Sequence, residues 1–228
     1  MINALKHSSK ARNIYRTNED LFTSSIFERL MYLPQELMAH IIEMAIFETV
    51  PGLDIYTTKS IEYWPSWNSK GTSNAFIVKP DVFMRTSSSD IIIEAKRYDE
   101  KQQDPKQWKR EIQAYYNEYA EENKKLIFIA LGGLHNKQTG SLTVNNIDHS
   151  IYKCTWKAIL NGVQQIIHDL ELVSNYTNNN KGIINILKDI VLCFELFGFS
   201  TAFWLERFIK APHIQQRSIN YLSKTWIN

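Results

Sequence analysis

The period of the apolar residues changes twice along this chain, and the changes divide it into helical and extended stretches. Phe22, Ile26 and Leu30 recur at the spacing of one helix face, and Glu19 falls on the same stripe. Thr17 precedes them as a capping hydroxyl, while Glu19 and Asp20 complement the positive end of the helix dipole. Pro34 stops this helix and suits the first turn of a second, in which Leu37, Met38, Ile41, Ile42 and Ala45 face inward. Pro51-Gly52 closes the helical section.

Extended signals follow. Residues 55–56 or 60–64 predict a first strand, 75–84 a second and 90–97 a third. The third is apolar on both faces, as in a strand inside a covered sheet. Pro80 lacks a ladder donor, so the second should be irregular or at an edge there. Asp104-Pro105 opens a helix through about residue 121, and the run 126–131 before Gly132-Gly133 reads as a buried strand. Residues 150–154 predict another short strand. A long helix covers 156–172, a polar linker 175–182, and final helical segments 183–197 and 203–209. Helix, three strands, helix and strand in that order give an α/β architecture with a mixed sheet. We expect a core over residues 1–150 and a mainly helical C-terminal extension over 151–228, packed on that core.

Composition narrows the class without naming a partner. The 228 residues are 44% hydrophobic and 22% charged with a net charge of +2, so no global field selects nucleic acid. Lys6, Lys10, Arg12 and Arg16 near the start, and Arg207, Lys210, Arg217 and Lys224 near the end, make locally basic arms. Such arms bind phosphate through counterion release, or are simply solvated. Cys154 and Cys193 form no metal-binding or disulfide pattern, and the six histidines lack zinc spacing. There is no apolar leader of signal length, and Lys188, Asp189 and Glu195 interrupt the most apolar region. A cytoplasmic protein without a membrane partner is expected.

Candidate chemistry concentrates on Pro80-Asp81 and, thirteen positions after Asp81, Glu94-Ala95-Lys96. Alternation puts Asp90, Ile92, Glu94 and Lys96 on one strand face and Ile91, Ile93, Ala95 and Arg97 on the other. If the second and third strands pair, Asp81 approaches Glu94. Two adjacent carboxylates repel unless a cation lies between them, and Mg²⁺ takes oxygen ligands while keeping several waters. The plain alternative is a salt-bridged strand end beside a Pro-Asp turn. Trp64 and Trp67 would stack on bases or close over the sheet as core. Lys106, Lys109 and Arg110 would contact phosphates or, with Asp104 and Glu111, form a solvated face.

Pro80-Asp81 followed by Glu94-Ala95-Lys96 resembles the signature of the PD-(D/E)xK, or restriction-endonuclease-like, nuclease superfamily. The predicted αβββαβ order is similar to that family's core, and the resemblance spans residues 19–131. Softer likenesses to bacterial defence nucleases lie at residues 152–156 and 194–199. The resemblance implies Mg²⁺- or Mn²⁺-dependent hydrolysis of phosphodiester bonds, in DNA ahead of RNA, with a role in bacterial or phage-related defence or nucleic-acid processing. It implies Asp81, Glu94 and the Ala95 carbonyl as metal ligands and Lys96 as the group that assists the attacking water. A further metal-binding glutamate from the first helix would be Glu19, with Glu43 second. Gln113 and Tyr116 would be accessory residues, at a spacing that departs from the commonest form. A rival reading keeps the fold as a non-catalytic module that recruits nucleic acid or protein. A third docks a partner protein or second copy on the C-terminal helices through Phe194, Phe197, Phe199, Phe203 and Trp204.

Overall fold

The computed structural model describes residues 18–74, 76–98, 101–172 and 178–201. Helix α1 (Glu19–Leu30) buries Phe22, Ile26 and Leu30, as their spacing requires. Its cap is Asn18, whose Oδ1 accepts the Leu21 N–H at 2.9 Å; Thr17 lies outside the described residues. Helix α2 (Gln35–Ala45) begins directly after Pro34. Residues 55–57 form a 3-10 turn, so the first strand is β1 (Ser60–Tyr63). The stretch expected as one second strand is split. β2 (Trp67–Asn68) and β3 (Ile77–Val78) make a separate antiparallel ribbon. Pro80 then interrupts the chain, for want of an N–H, before β4 (Val82–Arg85) and β5 (Ser89–Ala95).

Helix α3 (Pro105–Tyr119) has Pro at its first position and is capped by Asp104, which accepts the Lys106 N–H at 2.9 Å. β6 (Lys125–Leu131) follows. Next comes a hairpin of β7 (Gly140–Val144) and β8 (Ile147–Cys154), turning on Asn145 and Asn146, both at positive φ. That turn geometry matches the twist of the flanking strands, and asparagine tolerates it. β8 continues through the boundary expected at residue 150 and lies within the sheet. α4 (Trp156–Leu172) and α5 (Asn178–Leu196) complete the five helices described. α5 starts inside the stretch expected as a linker. The segment 203–209 and the basic residues named in both arms lie outside the described residues.

The protein is therefore mixed α/β. A six-stranded sheet runs β1-β4-β5-β6-β8-β7, with β5, β6 and β8 parallel and the other pairings antiparallel. Every residue of β5 is buried. One face of the sheet presents Val82, Met84, Ile91, Ile93, Ile127 and Ile129 to α1, α2, α4 and α5. The other presents Phe83, Ile92, Phe128 and Ala130 to α3 and to Trp67. Phe194 and Phe197 are buried beside Phe22 and Trp156, with Phe199 stacked on Phe22 at 5.0 Å. Phe194 and Phe197 are thus part of the chain's own core, with Phe199 partly buried against it; Phe203 and Trp204 lie outside the described residues. Among the described residues no helix is long and apolar enough to cross a membrane.

The strand ends are locked by a close backbone approach. Gly132, at φ +67°, lies so near β5 that an added Cβ would fall 2.2 Å from the Lys96 carbonyl oxygen. That oxygen accepts the Trp156 indole N–H at 2.7 Å. Gly132→Ala is expected to destabilise the protein by about 2–4 kcal/mol, since left-handed strain and a backbone clash coincide. Urea unfolding measures the loss; a change below about 0.5 kcal/mol would show that the strand ends yield easily.

Candidate active site

β4 pairs with β5 in a register that sets Val82 opposite Ile93. One step further along, Asp81 comes level with Glu94. Asp81 Oδ2 accepts the Ala95 N–H at 2.8 Å, and Oδ1 accepts the Trp64 indole N–H at 3.2 Å. Trp64 holds φ +48°, a conformation costing a non-glycine residue about 1–3 kcal/mol, while it makes this contact. Trp67, by contrast, is a core residue at 2% exposure.

Glu94 points to the α3 side of the sheet, together with Ile92, as alternation demands. Its Oε1 accepts hydrogen bonds from Lys96 Nζ and, at 2.7 Å, from Gln107 Nε2 on α3. Lys96 Nζ also lies 3.6 Å from Glu19 Oε1. The other Glu19 oxygen accepts the Arg97 N–H at 2.7 Å, which ties α1 to the end of β5. The structure thus brings Asp81, Glu94, Ala95, Lys96 and Glu19 together. Glu43 is elsewhere, accepting from the Tyr56 hydroxyl. Gln113 bonds Asn117, and Tyr116 packs on Tyr115 and His149. It is Gln107, earlier on α3 than both of those positions, that reaches Glu94. Gln103 donates to the Glu94 carbonyl at 2.9 Å and to the Gly132 carbonyl at 3.2 Å, bracing the two strand ends. Arg97 faces the opposite layer, where Nη2 donates to the Phe197 carbonyl.

Glu111 departs from the expected solvated face. It is 1% exposed and meets Glu94 on the α3 side. A sequence signal for this exists: Glu111 lies three residues after Trp108 and four before Tyr115, on the buried stripe of α3. Lys106 and Lys109 are exposed.

Charge is unbalanced here. Burial, then Glu94 and Asp81, drives the Glu111 carboxyl well above the carboxylate range. Burial, then Glu94, pushes Asp81 up to about 8. For Lys96 burial opposes the charged form, but Glu94, Glu19 and Asp81 outweigh it and hold the ammonium above its ordinary range. Asp90, on the same face of β5, shows the opposite state. It is fully buried, yet Lys124 at 3.1 Å, Arg85 at 3.4 Å and the Tyr115 hydroxyl at 3.2 Å satisfy it. Glu94 has Lys96 alone as cationic partner within salt-bridge distance among the described residues, and its buried Oε2 has no hydrogen-bond partner.

An unpartnered buried carboxylate oxygen beside further acids suits a hard cation, which oxygen ligands favour. Among the described residues no three His, Cys, Asp or Glu side chains form a finished metal cage. Two carboxylates, a carbonyl and water are the fitting donor set, as Mg²⁺ prefers.

No family model and no solved structure matches the chain. The uncharacterized protein PM0110 of Pasteurella multocida (strain Pm70) is 34% identical over 169 residues, which is 68% of this chain. The chain spans 62% of that relative's length.

Native Asp81 keeps its proton up to about 8, against 3.8 for the ordinary group, so its contribution to stability is full below about 4 and is lost as pH rises through 8. Urea unfolding in EDTA should therefore show stability falling over that window. Asp81→Asn should flatten the slope, whatever its offset. An unaltered slope would mean that Asp81 titrates alike in both states.

Proposed function

We propose that the chain is a divalent-metal-dependent phosphodiesterase acting on nucleic acid, built on a restriction-endonuclease-like core. The observation that carries this reading is the convergence of Asp81, Glu94 and Lys96 at the end of a fully buried strand, with Glu94 Oε2 left unpartnered. The element order supports it: α1 and α2 are followed by the antiparallel set β1, β4 and β5, with the β2–β3 ribbon inserted after β1, then by α3 and the parallel strand β6. DNA is placed ahead of RNA on the resemblance alone. The exposed Lys106 and Lys109 at the start of α3 offer phosphate contacts near the site.

Asp81, Glu94 and the Ala95 carbonyl would hold Mg²⁺ or Mn²⁺. Such an ion lowers the pKa of bound water and neutralises charge on a phosphoryl oxygen. Lys96, held charged between Glu94 and Glu19, orients the attacking water and offsets negative charge on the phosphate rather than accepting a proton. Glu19 positions that ammonium, Trp64 fixes the Asp81 carboxylate, and Gln107 fixes Glu94.

Supercoiled plasmid incubated with Mg²⁺, Mn²⁺ or EDTA tests the reading. The wild type is expected to nick with metal only, and Lys96→Ala to lose roughly 10²-fold or more in rate, the loss typical of removing a charge-stabilising donor. Equal metal-dependent rates in both proteins would remove Lys96 from the chemistry. Absence of cleavage by the purified protein with retained duplex binding would favour the non-catalytic module.

A further inference from the structure

The candidate ligand set leaves one acid unexplained. Glu111 enters from α3, a different layer from Asp81 and Glu94, and is 1% exposed. Its Oε2 has no hydrogen-bond partner, and neither has Glu94 Oε2 against which the residue lies. With both carboxyls ionised neither can satisfy the other, so the pair needs either a shared proton or a cation between them. An ordinary structural acid would be matched as Asp90 is, by two cations and a hydroxyl. Glu111 lies on the stripe of α3 that buries Trp108, Ile112 and Tyr115, and the polar groups acting on it are Glu94, Asp81 and Gln107, none of them a cation. Gln107, one turn earlier, donates its amide to the other Glu94 oxygen and so aims Oε2 of Glu94 away from Lys96.

We propose that Glu111, paired with Glu94, is a cation-binding carboxylate of this site, supplied by α3 rather than by the strands. The inference rests on Glu94 being a metal ligand, as proposed above. It adds a ligand that the Asp81, Glu94 and Ala95 set does not contain. The ligand chemistry is that of a hard divalent ion, Mg²⁺ or Mn²⁺, because both donors are carboxylate oxygens and no thiolate or imidazole faces them. Binding the ion would relieve the repulsion that burial imposes on these acids, so cation binding and local stability are coupled through Glu111.

Mn²⁺ binding to the full chain, by calorimetry and by the EPR signal of the free ion, tests this without any substrate. Thermal unfolding in EDTA and in Mn²⁺ accompanies it. Glu111→Gln keeps the shape and removes the ionisable carboxyl. It is expected to melt higher than wild type in EDTA and to bind Mn²⁺ at least about 10-fold more weakly, with a correspondingly smaller rise in Tm on adding the ion. Glu111→Asp, which keeps the carboxyl but withdraws it by one methylene, serves if the glutamine variant fails to fold, and should bind with intermediate affinity. Wild-type affinity in a folded Glu111 variant would overturn the inference while leaving the Asp81–Glu94 reading intact. A wild type that binds no Mn²⁺ would overturn both.

Discussion

β5 is buried along its whole length, and that constraint governs the rest of the site. A strand covered on both faces gives its polar side chains no route to water, so each must be met by protein or by something bound. Asp90 is met by protein: Lys124, Arg85 and the Tyr115 hydroxyl enclose it. Glu94, four residues later on the same face, receives one lysine and a glutamine amide and keeps an oxygen without a partner. Identical chemistry at two positions of one strand is thus balanced at one end and left in deficit at the other. That difference is the ground on which the proposed chemistry is placed at the Glu94 end, without reference to any relative.

The surrounding fold serves to hold that deficit in place. The β4–β5 register brings Asp81 level with Glu94, and the Ala95 N–H and Trp64 indole hold its carboxylate. Glu19 joins α1 to the β5 end through both of its oxygens. Gln103 and the close approach of Gly132 clamp β5 against β6. The supporting groups come from several elements in different layers, which is how a site is held to geometry finer than one loop could supply. The aromatic group of Phe22, Trp156, Phe194 and Phe197 backs this arrangement from the other face, and its burial is why the C-terminal helix belongs to the core.

Much of this was legible in the sequence because period and punctuation are local. The α1 stripe, the Pro34 and Asp104-Pro105 helix starts, the two-faced β5 and the Pro80 break all follow from a few neighbouring residues. What was not legible depended on tertiary placement. Of the β7–β8 hairpin only residues 150–154 were read as strand, because β7 and the start of β8 are polar and half exposed, although Asn145-Asn146 is a turn signal. α5 starts within an Asn-rich stretch whose local preference is for turns. Glu111 sits between Arg110 and Ile112 in a charged run and reads as surface, yet its offset from Trp108 and Tyr115 places it on the buried stripe. Gln113 and Tyr116 were named from the resemblance although their spacing departs from its commonest form, and the rotation of α3 presents Gln107 to Glu94 instead.

The central claim, that this carboxylate deficit is a divalent-cation site, is tested most directly by anomalous diffraction from crystals grown in Mn²⁺, with data collected at the manganese edge. The account predicts a peak within coordination distance of Glu94 Oε2. The absence of a peak there under saturating Mn²⁺, with the carboxylates positioned as they are here, would contradict it.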